Sequence, residues 1–317
     1  MIKIPAALTA AALVMMPSIS SAQETSYPVT IQNGPTSLVF EAAPERTLVS
    51  HAARIELMLA LGLGDRILGT MYQRNDVLPE FAEQEAALPQ IAGRNEYPSF
   101  EMVVEASPDF IYSEIGAFRD ELMAPVDRML AMGINPYITP ENFVLGPTME
   151  DVYQDIRELG IIFNVQPRAN EIIGGMQDEI AAVQQIVGDV TPVRVFVLDA
   201  GTDDAFTAGL NLETEIISLA GGVNVFDDLD QRWATVSWEE VVERSPEVII
   251  VNNYGATPAE EKVSILRNSA GLSSIPAIQN DRIIVMDLTE FIPGLRPARA
   301  VRTLAEHFYP ELFAEQD

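Results

Sequence analysis

The sequence contains no cysteine. That absence excludes disulfides, thiolate nucleophiles, thiolate zinc sites and the lipid-modified cysteine by which many exported receptors are tethered. Histidine is nearly absent too: only His51 and His307 occur, which excludes a histidine-rich metal site. Basic residues are scarce, with 19 Lys and Arg against 47 Asp and Glu and a formal net charge of −28. Such a chain repels phosphate backbones, so nucleic acid is excluded as a partner. The acidic surplus reads either as a solvated surface or as attraction toward a cationic ligand or a basic partner face. Sequence signatures of catalysis are missing as well. There is no G-x-S-x-G elbow and no P-loop, and Gly62-Leu63-Gly64 lacks the third glycine of a dinucleotide fingerprint because Ile67 stands in its place. Long hydrophobic runs are also lacking. The N-terminal run from Ala6 to Met16 is too short for a spanning helix, which needs roughly 18 to 20 apolar residues.

What is present begins with an address. Lys3, the uncharged run Ala6 to Met16, Pro17 and the small residues Ser18 to Ala22 form a secretory signal peptide over residues 1–22. The mature chain is expected to start at Gln23 and to be a soluble monomer in the periplasm, free of a lipid anchor. Its length of about 295 residues suits two domains or one large one.

From Arg46 onward short β-branched runs alternate with amphipathic stretches, the pattern of parallel strands joined by crossover helices, so the fold class is α/β. Expected strands are Thr47 to Ser50, Ile67 to Met71, Phe110 to Tyr112 and Pro136 to Thr139, then Val193 to Leu198, Val248 to Val251 and Ile283 to Met286. Between the two sets, Met149 to Val187 carries no strand signal. A helix is predicted from Pro167 to Val187, with Ile172, Ile173, Met176, Ile180, Val183 and Val187 on one stripe. Its 21 residues make a rod of about 31 Å, long enough to cross the backs of two lobes. The expected organisation is an N-terminal extension over 23–45, an α/β lobe over 46–148, a connecting helical segment over 149–190 and a second α/β lobe over 191–317.

An internal repeat supports two related lobes. The segment Ser99-Phe100-Glu101-Met102-Val103-Val104-Glu105-Ala106-Ser107-Pro108-Asp109-Phe110-Ile111 recurs as Ser237-Trp238-Glu239-Glu240-Val241-Val242-Glu243-Arg244-Ser245-Pro246-Glu247-Val248-Ile249, with eight of thirteen positions identical. In each copy the serine can cap a short helix, and Ser-Pro-acid ends that helix before a strand. A fainter echo pairs Leu59-Ala60-Leu61-Gly62 with Leu219-Ala220-Gly221-Gly222. Two facing α/β lobes bind ligands between the carboxyl ends of their strands. His51 stands at one such end, where it is either a hydrogen-bonded strand-end residue or a ligand contact. His307, on a helix expected from Pro297 to Phe308, is structural or exposed.

The chain resembles the iron-siderophore, haem and cobalamin periplasmic binding proteins of ABC importers. The resemblance lies in Ala43-Pro44-Glu45-Arg46, Leu57 through Arg66, Pro98-Ser99-Phe100-Glu101 through Asp109, Phe206-Thr207-Ala208-Gly209, Leu219 through Phe226, Val236-Ser237-Trp238-Glu239 and Pro293-Gly294-Leu295-Arg296, in the family's order. It implies two Rossmann-like lobes joined by one long backbone helix, the class III periplasmic binding protein architecture, with limited hinge motion. It also implies that one glutamate on each lobe docks against arginines of a permease dimer; by motif position these are Glu101 and Glu239. The alternative for both is a helix-start acid favoured by the macrodipole.

Candidate ligand contacts, besides His51, are Tyr72, Arg74, Arg94, Tyr97, Trp233, Tyr254, Phe291 and Arg296. Arginines suit the anionic oxygens of a ferric chelate and aromatics its organic shell. The expected ligand is a ferric siderophore, its iron held by the chelator rather than by the protein, and no cofactor is expected. Haem comes next, with Tyr72, Tyr254 or His51 as axial ligands, and cobalamin third. The competing class is a secreted carboxylate-dependent hydrolase.

Overall fold

In the computed structural model, which describes residues 24–314, a hairpin of β1 (Val29–Asn33) and β2 (Thr36–Phe40) precedes two parallel sheets. The signal peptide expected over residues 1–22 and its expected cleavage site lie outside the described residues. The first sheet takes β3 (Thr47–Ser50), β4 (Ile67–Met71), β5 (Phe110–Ser113) and β6 (Asn135–Ile138) in the order β4-β3-β5-β6. A second hairpin-like pair, β8 (Ala205–Ala208) with β10 (Trp233–Val236), sits beside the second sheet. That sheet consists of β7 (Val193–Leu198), β9 (Gly222–Asn224), β11 (Val248–Asn253) and β12 (Ile283–Asp287), ordered β9-β7-β11-β12. Counted along the chain, both sheets have the order second, first, third, fourth. The switch point between first and third strands is therefore repeated in each lobe.

Side-chain alternation explains the layering. Phe110 and Tyr112 on β5, Val248 and Ile250 on β11, and Val195 and Val197 on β7 face one continuous core. Their neighbours point the other way: Ile111 into the first lobe's outer core, and Ile249, Val251 and Phe196 into the second lobe's. These strands are buried on both faces, as parallel strands are. The shared core also contains Ile173, Met176, Ile180, Val183 and Val187 from the long helix.

That helix spans Gln166–Val187, 22 residues and about 33 Å. A second helix, Met149–Phe163, runs before it, and Asn164 in the left-handed conformation makes the turn between them. The two approach so closely that a Cβ on Gly160 would lie 2.8 Å from Ala169 Cβ. At its start the long helix ties to the first lobe, where Arg168 Nε donates to Ala60 O at 2.8 Å. At its end Val187 packs against Gly221 of the second lobe.

The residues expected as an N-terminal extension include the β1–β2 hairpin, which shields the edge of β6. Asn33 Nδ2 donates to Ile138 O at 2.7 Å and Ile138 N–H returns a bond to Asn33 Oδ1 at 2.9 Å. The repeat is structural as well as sequential. Ser99 caps Phe100–Ala106 and Ser237 caps Trp238–Arg244, while Ser107 and Ser245 end them in the left-handed conformation at φ 50° and 48°. The fainter echo is shifted by one position. Gly62 and Gly221, at φ 78° and 86°, hold the equivalent places just past a helix end, so Gly62 does not match Gly222.

Candidate functional site

A cavity of about 300 Å³ lies between the lobes, walled by residues that follow the carboxyl ends of both sheets. From the first lobe come His51 after β3, Tyr72 and Arg74 after β4, Glu114 after β5 and Glu141 after β6. From the second come Asp199 after β7, Phe206 on β8, Arg232 and Trp233 at β10, Tyr254 after β11 and Phe291 after β12. Glu213, in the first turn of the helix Leu212–Leu219, completes that wall.

His51 is 4% exposed at φ 71°, and its N–H reaches Tyr72 O at 3.2 Å, joining the ends of two strands. Burial, reinforced by Arg54, Arg74 and Arg296, holds its imidazole pKa well below the usual value, so it is neutral at pH 7. One turn on, Arg54 donates to Glu114 Oε2 at 2.9 Å and to Thr139 Oγ1 at 3.2 Å, with Glu141 at 3.8 Å. Its charge is thus matched within its own lobe.

Arg74 is placed otherwise. Its guanidinium donates to Tyr72 Oη and lies 5.0 Å from the Tyr72 ring centre and 5.1 Å from that of Tyr254, so it sits between an aromatic ring of each lobe. Among the described residues no carboxylate forms an ion pair with Arg74 or with Arg232, whose Nη2 donates to Val144 O at 2.5 Å. Trp233 stacks on Phe206 with ring centres 5.8 Å apart. In the same lobe, Asn252 Nδ2 donates to Asp199 and Glu213, each at 3.1 Å. Burial pushes the Asp199 carboxyl up and raises Glu213 to about 8.

Of the nine residues singled out as ligand contacts, His51, Tyr72, Arg74, Trp233, Tyr254 and Phe291 line this cavity. Tyr97 stands behind the wall: it stacks on Tyr72 at 4.0 Å and donates to Glu114. Arg94 is turned outward into an ion pair with Asp76, both side chains well exposed. Arg296 is the plainest correction. It is 3% exposed and its fork grips Glu56, with bonds of 3.0 Å and 2.5 Å, while Nη2 also reaches Asp76 O at 2.7 Å. It ties the lobes together instead of facing the cavity. Among the lining residues not singled out as ligand contacts, those with charge or an aromatic ring are Arg54, Glu114, Glu141, Asp199, Phe206, Glu213 and Arg232. Glu101 and Glu239 are both exposed, second in their helices and outside the cavity wall. No group of three or more His, Cys, Asp or Glu among the described residues could hold a metal ion.

Residues 49–288 match the family described as periplasmic binding protein. The chain is 26% identical over 228 residues to the vitamin B12-binding protein of Photorhabdus laumondii, covering 72% of this chain and 76% of that one. Among solved structures it is similar to a periplasmic binding protein from Veillonella parvula, with 27% identity, a TM-score of 0.81, and 89% and 97% of the two chains covered. It is also similar to a periplasmic haem-binding protein from a Roseiflexus species, with 25% identity, a TM-score of 0.69, and 84% and 99% covered. The hydrolase alternative falls here, because these relatives are solute-binding proteins. The chain belongs to the family of periplasmic binding proteins, small-molecule receptors that work with ABC transporter permeases and are not enzymes.

Proposed function

We propose that the chain binds a ferric siderophore in the interlobe cavity and delivers it to its permease. The observation that carries this reading is the pair Arg74 and Arg232, two guanidiniums on the cavity wall that form no direct ion pair among the described residues, with Asp199 within electrostatic reach of the first and Glu141 and Asp151 of the second. In a protein of net charge −28, two guanidiniums without a direct ion pair at one place favour an anionic oxygen ligand there. Tyr72, Tyr254, Trp233 and Phe206 supply faces for the organic part of a chelate. A cavity of about 300 Å³ would have to open for cobalamin and for a ferric chelate alike, so its volume does not choose between them. Haem has one observation in its favour: Arg74 donates to Tyr72 Oη, which would favour a phenolate ligand to ferric iron.

Delivery is assigned to Glu101 and Glu239. Each is the second residue of a short helix that leads through a three-residue turn into the next strand, a reversal that sets the helix start toward the strands' carboxyl ends. Two equivalent exposed acids, one per lobe, suit a two-subunit permease.

A ligand that binds only the folded form adds about 2.7 kcal/mol of stability at a hundredfold excess over its Kd. A ferric siderophore should produce that shift in melting experiments, and free ferric ion much less. A shift with haemin or cobalamin and none with any ferric siderophore would overturn the reading.

A further inference from the structure

The part of the wall built from the ends of β7 and β11 and the helix Leu212–Leu219 leaves one carboxyl oxygen without a partner. Asn252, fully buried on β11, gives both amide hydrogens away, one each to Asp199 Oδ1 and Glu213 Oε2. Tyr254 Oη donates to the other Asp199 oxygen. Lys262 Nζ reaches only the main-chain carbonyls of Asp199 and Asn252, at 2.6 Å each. Glu213 is 1% exposed, lines the cavity, and its Oε1 is buried without a partner. Asn252 Oδ1 behind it is in the same condition. A buried polar atom left without a partner is costly, and a ligand group that bonds it on the cavity side recovers that cost on binding.

The geometry points to a donor-reading subsite at Glu213: the chelate's anionic oxygens face Arg74 and Arg232 while an ammonium arm of the same ligand donates to Glu213 Oε1. This rests on the reading of the cavity as a chelate site and narrows it to chelates of mixed charge. The proton count follows. Burial raises the Glu213 carboxyl to about 8, so at neutral pH it is protonated, and the proton sits on Oε1 because Oε2 accepts from Asn252. When the ammonium N–H bonds Oε1, the carboxyl proton passes to buffer and an ion pair remains.

The test uses two ferric trihydroxamates that differ in one group: ferrioxamine B, whose free arm ends in an ammonium, and its N-acetylated, uncharged form. Titration calorimetry of the full mature chain should show at least about tenfold tighter binding of the ammonium form, the size of one charge-assisted hydrogen bond. Repeating it in two buffers of different ionisation heat should show proton release with that form alone. In Glu213→Gln, confirmed folded by a cooperative melt, the ratio should fall to about twofold or less. Equal binding of the two by the unaltered chain, or a preference kept by Glu213→Gln, overturns the inference. So does binding confined to chelates without an ammonium, such as ferric enterobactin, which leaves the chelate reading standing. If no ferric chelate binds, the chelate reading itself falls and takes the inference with it.

Discussion

The two lobes have the same strand order and the same serine-capped helix before the third strand, yet they treat charge at the cavity differently. In the first lobe Arg54 pairs with Glu114 and lies 3.8 Å from Glu141, so a cation stands among the acids of that wall even though Glu141 Oε2 has no partner. In the second, Asp199 and Glu213 share one amide, and the nearby Lys262 turns to main-chain carbonyls. The repeated residues build the frame: Val103 and Val241 fill outer cores, and Asp109 and Glu247 accept main-chain N–H groups at the start of each sheet. Discrimination is left to residues outside the repeat. A duplicated frame with unlike walls can close on a ligand whose two ends differ.

The largest effect should come from breaking the tie between the lobes. Arg296→Ala leaves Glu56, at 0% exposure, without its cation, and loss of one partner from a buried pair costs about 3–5 kcal/mol. Urea unfolding measures it; a loss below about 1 kcal/mol, the range of surface pairs, would mean that the lobes do not depend on this contact.

Acidity tests both lobes at once. Burial raises Asp155, beside Tyr112 on the first lobe's side, and Glu213 in the second to about 8, from 3.8 and 4.5 respectively. The folded chain therefore keeps two protons that the unfolded chain releases. Their contribution is fully present below about pH 4 and is lost as pH rises through about 8, with a slope near 1.4 kcal/mol per unit for each group. Stability measured from about pH 5 to about pH 9 should fall, and Asp155→Asn and Glu213→Gln should each remove part of that slope. If one of them carried all of it, the lobes would differ in burial more than the structure shows.

Equality is the next expectation. Val103→Ala and Val241→Ala each remove a fully buried side chain from an equivalent place, and each should cost about 2 kcal/mol by denaturant titration. Unequal costs would break the frame's symmetry. Smallest of all on stability is the double change Glu101→Ala with Glu239→Ala, which should leave the melting midpoint in place while transport in reconstituted vesicles collapses. Normal transport by that variant would remove their docking role.

Much of the frame was legible because buried parallel strands are β-branched and contiguous. All seven expected strands form, and Ile67 to Met71 keeps its predicted bounds. Three short strands were not: β9 is Gly-Val-Asn, and β8 and β10 are mixed segments that exist because they pair with each other. The β1–β2 hairpin did carry a signal, alternating runs joined by Gly34-Pro35 with Gly34 at φ 57°. The cavity was legible at strand ends, which placed Tyr72, Arg74 and Tyr254. Glu213 and Asp199 could not be told from 47 acids, because only tertiary packing buries them. Arg296 misled for the converse reason: an arginine after a Gly-Leu turn looks the same in sequence whether it faces a ligand or grips a glutamate 240 positions away.

The central claim, a ferric siderophore between unlike walls, is met most directly by native mass spectrometry of the protein taken from its own periplasm. The account predicts a bound species whose isotope pattern contains iron and whose organic mass is that of a chelator, lost when the cavity arginines Arg74 and Arg232 are replaced. A cobalt corrinoid or haem in its place would contradict it.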